Sequence, residues 1–256
     1  MTVVMIGGEE FHILVEGSEI KPALMLSNPL GTNLHFWDPQ VPELLKHFRI
    51  VRYDSRGHGK TSADRGLYAI EQFGHDALAI GEALGIAKFH WLGLSMGSMV
   101  GLWLLIHARS RIGRAVLAGT AAQIPGPDMW NSRIQSARDF GMDSMSKAAA
   151  ERWFTKQFRD AELQKVDRVL AMVRETSVQC YAATCAALRD TDLREAVRGV
   201  TNEVLVIAGR RDLSTPPAMG ALIASSIKRA KLVTPKRRIC QVSRMRQISL
   251  KLFWTF

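Results

Sequence analysis

The chain has 256 residues, 34 of them lysine or arginine and 24 aspartate or glutamate, for a net charge of +10. That length suits one large α/β domain with an insertion, and no apolar run reaches membrane-spanning length, which excludes a membrane-embedded protein. The charge does not signify nucleic acid: nine of the basic residues lie between Lys228 and Lys251, past the last acid, Asp212, and belong to no recognisable binding module. Without those nine, 25 basic residues face 24 acidic ones, so the body is nearly neutral.

The N-terminus lacks the basic and apolar pattern of a signal peptide, so a cytoplasmic location is expected. Cys180, Cys185 and Cys240 have neither metal-ligand spacing nor an even count. They read as reduced thiols, with no metal or organic cofactor implied.

In chain order, residues 11–17 alternate as a strand, and an apolar strand over 22–28 runs into the turn-rich Asn28-Pro-Leu-Gly-Thr-Asn33. Residues 41–47 form a short helix, 48–53 a strand closed by Asp54-Ser-Arg-Gly-His-Gly59, and 70–84 a helix stopped by Gly85. A buried strand over 89–92 enters Gly93-Leu-Ser-Met-Gly97, followed by an apolar helix to about His107 and a strand over 115–118. Alternating strands and helices predict a mostly parallel sheet covered by helices on both faces.

From Pro125 to about Arg198 the pattern is helical only, over 129–140, 144–158, 160–175 and 179–188. Strands return at 203–208 and 230–233. A helical insertion between two strands of such a sheet is most simply a lid over the strand ends, where open α/β sheets bind ligands. The expected organisation is a core of 1–124 and 199–233, a helical lid of 125–198, and an atypical basic tail of 234–256.

The chemistry centres on Gly93-Leu-Ser-Met-Gly97. A serine hydroxyl is a poor nucleophile until its position is fixed and a base takes its proton. A sharp strand-to-helix turn fixes it, and needs glycine on both sides because a Cβ would clash there. The same turn aims unsatisfied helix N–H groups at the place where an oxyanion would form. Asp212 lies just past the strand at 203–208, where the acid of a serine–acid–histidine order belongs. A cap for the helix that opens at Pro216-Pro217 is the alternative reading of Asp212.

With these residues in hand, the chain resembles the α/β-hydrolase superfamily and, within it, the 3-oxoadipate enol-lactonases. Ser27-Asn-Pro-Leu-Gly-Thr-Asn-Leu-His-Phe-Trp-Asp-Pro-Gln40, Arg52-Tyr-Asp-Ser-Arg-Gly-His-Gly59, Tyr181-Ala-Ala-Thr-Cys-Ala-Ala-Leu-Arg-Asp190 and Val206-Ile-Ala-Gly-Arg-Arg-Asp212 carry the resemblance beside the serine turn. It runs from about residue 10 to about 233.

The resemblance implies an α/β-hydrolase fold and hydrolysis of 3-oxoadipate enol-lactone to 3-oxoadipate in aromatic-compound degradation. Ser95 would be the nucleophile, Asp212 the acid, and the backbone N–H groups of Leu30 and Met96 the oxyanion donors. His58, in Arg-Gly-His-Gly, is structural in this superfamily. Trp130 and Arg133 are candidates to meet the ring and the carboxylate of a small anionic lactone; an exposed helix face explains Arg133 equally. The rival readings are another esterase or carbon–carbon bond hydrolase on the same scaffold, and a hydrolase-like binding protein.

One expected residue is missing. The histidine of the triad should follow the strand at 230–233, yet no histidine lies beyond His107. The genetic code offers an account. Permitted codons for 235–256, read from the last base of the proline codon, can spell Glu-Ala-Ser-His-Met-Ser-Ser-Leu-Glu-Asn-Ala-Ala-Asn-Phe-Thr-Lys-Ala-Phe-Leu-Asp-Phe-Leu. That is a loop with the expected histidine followed by an amphipathic closing helix. A one-base frameshift would therefore explain both the absent histidine and the acid-free basic tail.

Overall fold

A computed structural model describes residues 2–62 and 66–235. Its elements in chain order are β1 (Thr2–Ile6), β2 (Glu9–Glu16), β3 (Ala23–Ser27), α1 (Val41–Leu44), β4 (Arg49–Tyr53), α2 (Ile70–Ala83), β5 (Phe89–Leu94) and α3 (Met96–His107). There follow β6 (Ile112–Ala118), α4 (Pro127–Trp153), α5 (Lys156–Ala161), α6 (Leu163–Glu175), α7 (Val178–Asp190), β7 (Val204–Ile207), α8 (Pro217–Ser226) and β8 (Ala230–Val233). The predicted basic tail lies outside the described residues, apart from Thr234 and Pro235.

The eight strands form one sheet in the order β1-β2-β4-β3-β5-β6-β7-β8. Only β1–β2 and β2–β4 pair antiparallel; every other pair is parallel. Side chains alternate across it with a period of two. Met25, Val51, Trp91 and Leu117 enter the core layer that holds α2 and α3, while Leu24, Leu26, Ile50, Leu92 and Val116 enter the opposite layer beneath Phe36, Trp37 and Leu44. Burial of both faces is what the near-continuous apolar strands require.

Two details differ from the sequence expectation. β1 was not anticipated: it pairs with β2 through a turn at Gly7 (φ 58) and Gly8 (φ 89), left-handed positions that suit a tight hairpin. The helices expected over 129–140 and 144–158 are instead α4, kinked at Gly141 (φ 69, ψ −177), and a separate α5. Thr155 makes that second break, its side chain capping α5 by accepting the Phe158 N–H at 3.3 Å. The stretch between β6 and β7 is helical as predicted, α4 packing on both α6 and α7.

Candidate active site

Ser95 stands between β5 and α3 with φ 53 and ψ −113, the only positive φ of a non-glycine residue among those described. A backbone in so sparse a region costs about 1–3 kcal/mol and persists only where its surroundings enforce it. Here they do. The Ser95 N–H donates to Ala118 O at 2.9 Å, and Thr120 Oγ1 donates to Ser95 O at 3.1 Å. Trp91 Nε1 donates to Gly97 O at 2.9 Å, and Ser98 Oγ donates to Gly93 O at 2.7 Å. A Cβ at Gly93 would lie 2.3 Å from Gly97 O, and one at Gly97 would lie 2.2 Å from Ser27 O. Both glycines are therefore demanded by packing, as the motif implied.

The same close approach docks the loop after β3 on the turn. The Gly97 N–H donates to Asn28 O at 3.1 Å, and Asn28 Nδ2 donates to Tyr53 O at 2.9 Å. Beyond Asn28 the chain reverses in a turn closed by the Thr32 N–H on Pro29 O at 3.2 Å, with Gly31 at φ 78. Leu30, 6% exposed, and Met96, 1% exposed, thus flank Ser95 from two elements. Among the described residues neither of their N–H groups donates to a backbone carbonyl, which is what two oxyanion donors require.

Asp212 follows β7, two strands from β5 at the same carboxyl edge of the sheet. Its Oδ1 accepts the N–H groups of Ser214 at 2.8 Å and Thr215 at 3.0 Å, so the carboxylate shapes its own loop. It does not cap α8, whose N-cap is Pro216 with no side-chain bond. The Arg210 N–H donates to Pro235 O at 3.0 Å, which brings the chain leaving β8 alongside this loop.

Trp130 and Arg133 occupy the first turns of α4. Trp130 is 3% exposed, and Arg133 is half-buried with its guanidinium carbon 4.8 Å from the Trp130 ring centroid. An exposed helix face therefore does not describe Arg133. His58 is buried, its Nδ1 within 3.0 Å of Arg56 O, and burial pushes its pKa below the ordinary histidine range. That is the setting of a neutral structural ring.

Two further residues organise the site. Asp54 accepts the Leu34 N–H on Oδ1 at 2.7 Å, and on Oδ2 both the Lys60 N–H at 2.9 Å and His12 Nδ1 at 2.7 Å. It anchors the loop that carries Leu30 to β2 and to the end of β4. Tyr181 of α7 packs against that loop, its Cε2 lying 3.5 Å from where a Gly31 Cβ would be. Nothing local in the sequence marks either contact, since both join segments far apart in the chain. Among the described residues no group of three or more histidine, cysteine or acidic side chains could hold a metal ion.

The family model of the α/β hydrolase fold matches residues 22–236. The chain is 36% identical over 211 residues to 3-oxoadipate enol-lactonase 2 of Acinetobacter baylyi, spanning 82% of this chain and 79% of the relative. A putative carbamate hydrolase, RutD, of Agrobacterium fabrum is 29% identical over 219 residues, with 82% and 83% covered. The enol-lactonase from Burkholderia xenovorans superposes with a TM-score of 0.93 at 35% identity, covering 99% of this chain and 97% of that one. The chain is a hydrolase of the α/β-hydrolase fold family, and it belongs with the 3-oxoadipate enol-lactonases.

Proposed function

We propose that the protein hydrolyses 3-oxoadipate enol-lactone to 3-oxoadipate through an acyl-enzyme on Ser95, beneath a lid formed by α4–α7. The observation that carries this reading is the strained Ser95 backbone, set between the unengaged N–H groups of Leu30 and Met96. Ser95 Oγ attacks the lactone carbonyl while a histidine takes its proton, and the two N–H groups stabilise the tetrahedral oxyanion. The ring C–O bond then breaks, and the same histidine returns the proton to the departing enol oxygen, which tautomerises to the ketone. Water repeats the attack on the acyl-enzyme and frees the second carboxylate. Asp212 would hold the histidine in the required tautomer.

No histidine follows His107 to play that part. The reading therefore includes the shifted frame, whose fourth residue past Pro235 is a histidine. The bond between Arg210 and Pro235 supports it, because the chain leaves β8 beside the Asp212 loop. The same absence is what favours a second reading, a hydrolase-like binding protein.

Sequencing the gene across codons 225–256 comes first; an unbroken frame encoding Arg237-Arg238-Ile239 ends the frameshift idea. The restored-frame chain should then turn over the enol-lactone far better than aryl esters. The chain with its basic tail should be slower by about a thousandfold or more, retaining only oxyanion and binding contributions. A restored chain that prefers aryl esters, or a carbamate, would replace the lactonase assignment.

A further inference from the structure

Arg133 and Arg152 both lie on α4, nineteen positions apart. On a straight helix they would be about 28 Å from each other, far beyond the reach of a screened charge. The chain reverses between them at Gly141, in a φ/ψ region only glycine enters readily. After the reversal both guanidiniums face one place: each acts on Tyr181 and on Cys185, and Arg133 acts on Arg152.

That place adjoins the reaction centre. Tyr181 is nearly fully buried and its ring touches the Gly31 turn, next to the Leu30 N–H. Trp130 stacks on Arg133 from the other side.

Two like charges under a cover of apolar side chains repel each other and lose hydration, which is costly unless an anion joins them. Tyr181 and Cys185 cannot be that anion at neutral pH, because burial pushes each up to about 12. The carboxylate acting on Arg152 is Glu151, its exposed neighbour in the chain. Burial, then the charge of Arg133, lowers the pKa of Arg152 without approaching neutrality, so both arginines stay charged.

We propose that Arg152 joins Arg133 in a two-arginine clamp for the carboxylate of the substrate, with the Tyr181 ring spacing that carboxylate from the oxyanion donors. The substrate class is narrowed to small lactones with an acidic arm, as opposed to neutral lactones or esters. This rests on the lactonase reading above and adds to it a residue the sequence did not single out.

The test is calorimetric binding, which needs no turnover and so uses the chain as it is. The probes are the saturated lactone acid, 5-oxotetrahydrofuran-2-acetate, and its methyl ester. The acid should bind about tenfold or more tightly than the ester. Arg152→Gln should raise the Kd of the acid about tenfold and leave the ester unchanged, while Arg138→Gln, an exposed arginine of the same helix, should change neither.

An Arg152→Gln protein that keeps the full preference for the acid overturns the clamp while leaving the lactonase reading intact. A parent chain that binds the acid no better than the ester, or not at all, overturns both. Should Arg152→Gln fail to fold, Arg152→Lys carries the test. A loss of about threefold is expected when a point charge replaces the planar fork, and an unchanged Kd sinks the proposal.

Discussion

Gly97 and Gly141 hold two regions of the molecule in shape by opposite means. At Gly97 the neighbours decide: a Cβ there would overlap the Ser27 carbonyl at 2.2 Å, and the residue sits in regular helix. At Gly141 space is open, with nothing within 4 Å of a Cβ, and the backbone angles alone exclude other residues. The serine turn is thus fixed by tertiary crowding, with strand, helix and loop each blocking the others. The bend of α4 is fixed locally, by one residue's conformational freedom. A region of the first kind fails as a whole when altered, whereas one of the second kind shifts and loses only what the bend assembled.

The largest effect should come from removing the nucleophile the crowding serves. In the restored-frame chain, Ser95→Ala should lower kcat/KM by about 10⁴ or more with the melting temperature nearly kept, read by steady-state kinetics beside a thermal melt. Loss of only a few-fold would mean that another group does the attack.

Gly97→Ala comes next, and tests the crowding itself. Overlap with backbone cannot be relieved by a rotamer change, so a destabilisation of about 3 kcal/mol or more is expected, or on the order of 10 °C in Tm. A protein that melts normally with alanine there would show that the β3 end can retreat.

Gly141→Ala sharpens the contrast. The strain should cost about 1–3 kcal/mol, with the fold retained by circular dichroism. The Ser95 region should be unaffected towards a serine-directed phosphonate in the restored-frame chain, while binding of the lactone acid weakens.

The smallest effect concerns pH. Burial holds the His58 imidazole below its ordinary range, so the unfolded chain, with a histidine pKa of about 6.5, binds the proton first as the solution is acidified. The stabilisation is therefore complete above about pH 6.5 and lost as pH falls through the folded pKa, with a slope of at most about 1.4 kcal/mol per pH unit. His58→Gln should flatten the decline in Tm between pH 7 and pH 5. An unchanged slope would assign the decline to other groups, His90 first, which burial also holds low.

What could be read from the sequence follows the same division. The serine turn was legible because its signal is contiguous: an apolar strand, two glycines around a serine, then an apolar helix. β8 was legible to the residue for a similar reason. The break in α4 was anticipated as a gap between two helical patterns, but its angle was not, since periodicity says nothing about direction after a bend. Arg152 consequently looked like one more surface arginine. Asp54 was quoted only as part of a shared block, and its partners, His12, Leu34 and Lys60, are spread over three segments. β1 escaped notice although Gly7-Gly8 marks its hairpin, because five residues at a chain end carry little pattern.

Asp54 has a consequence for anyone wishing to retrain this protein. One carboxylate clasps the N-terminal hairpin, the end of β4 and the loop bearing Leu30, so randomising any of the three disturbs all of them. Mutant libraries seeking a new substrate should leave that knot untouched and vary α4 and α7 instead, where shape and charge can drift while the attacking centre stays intact.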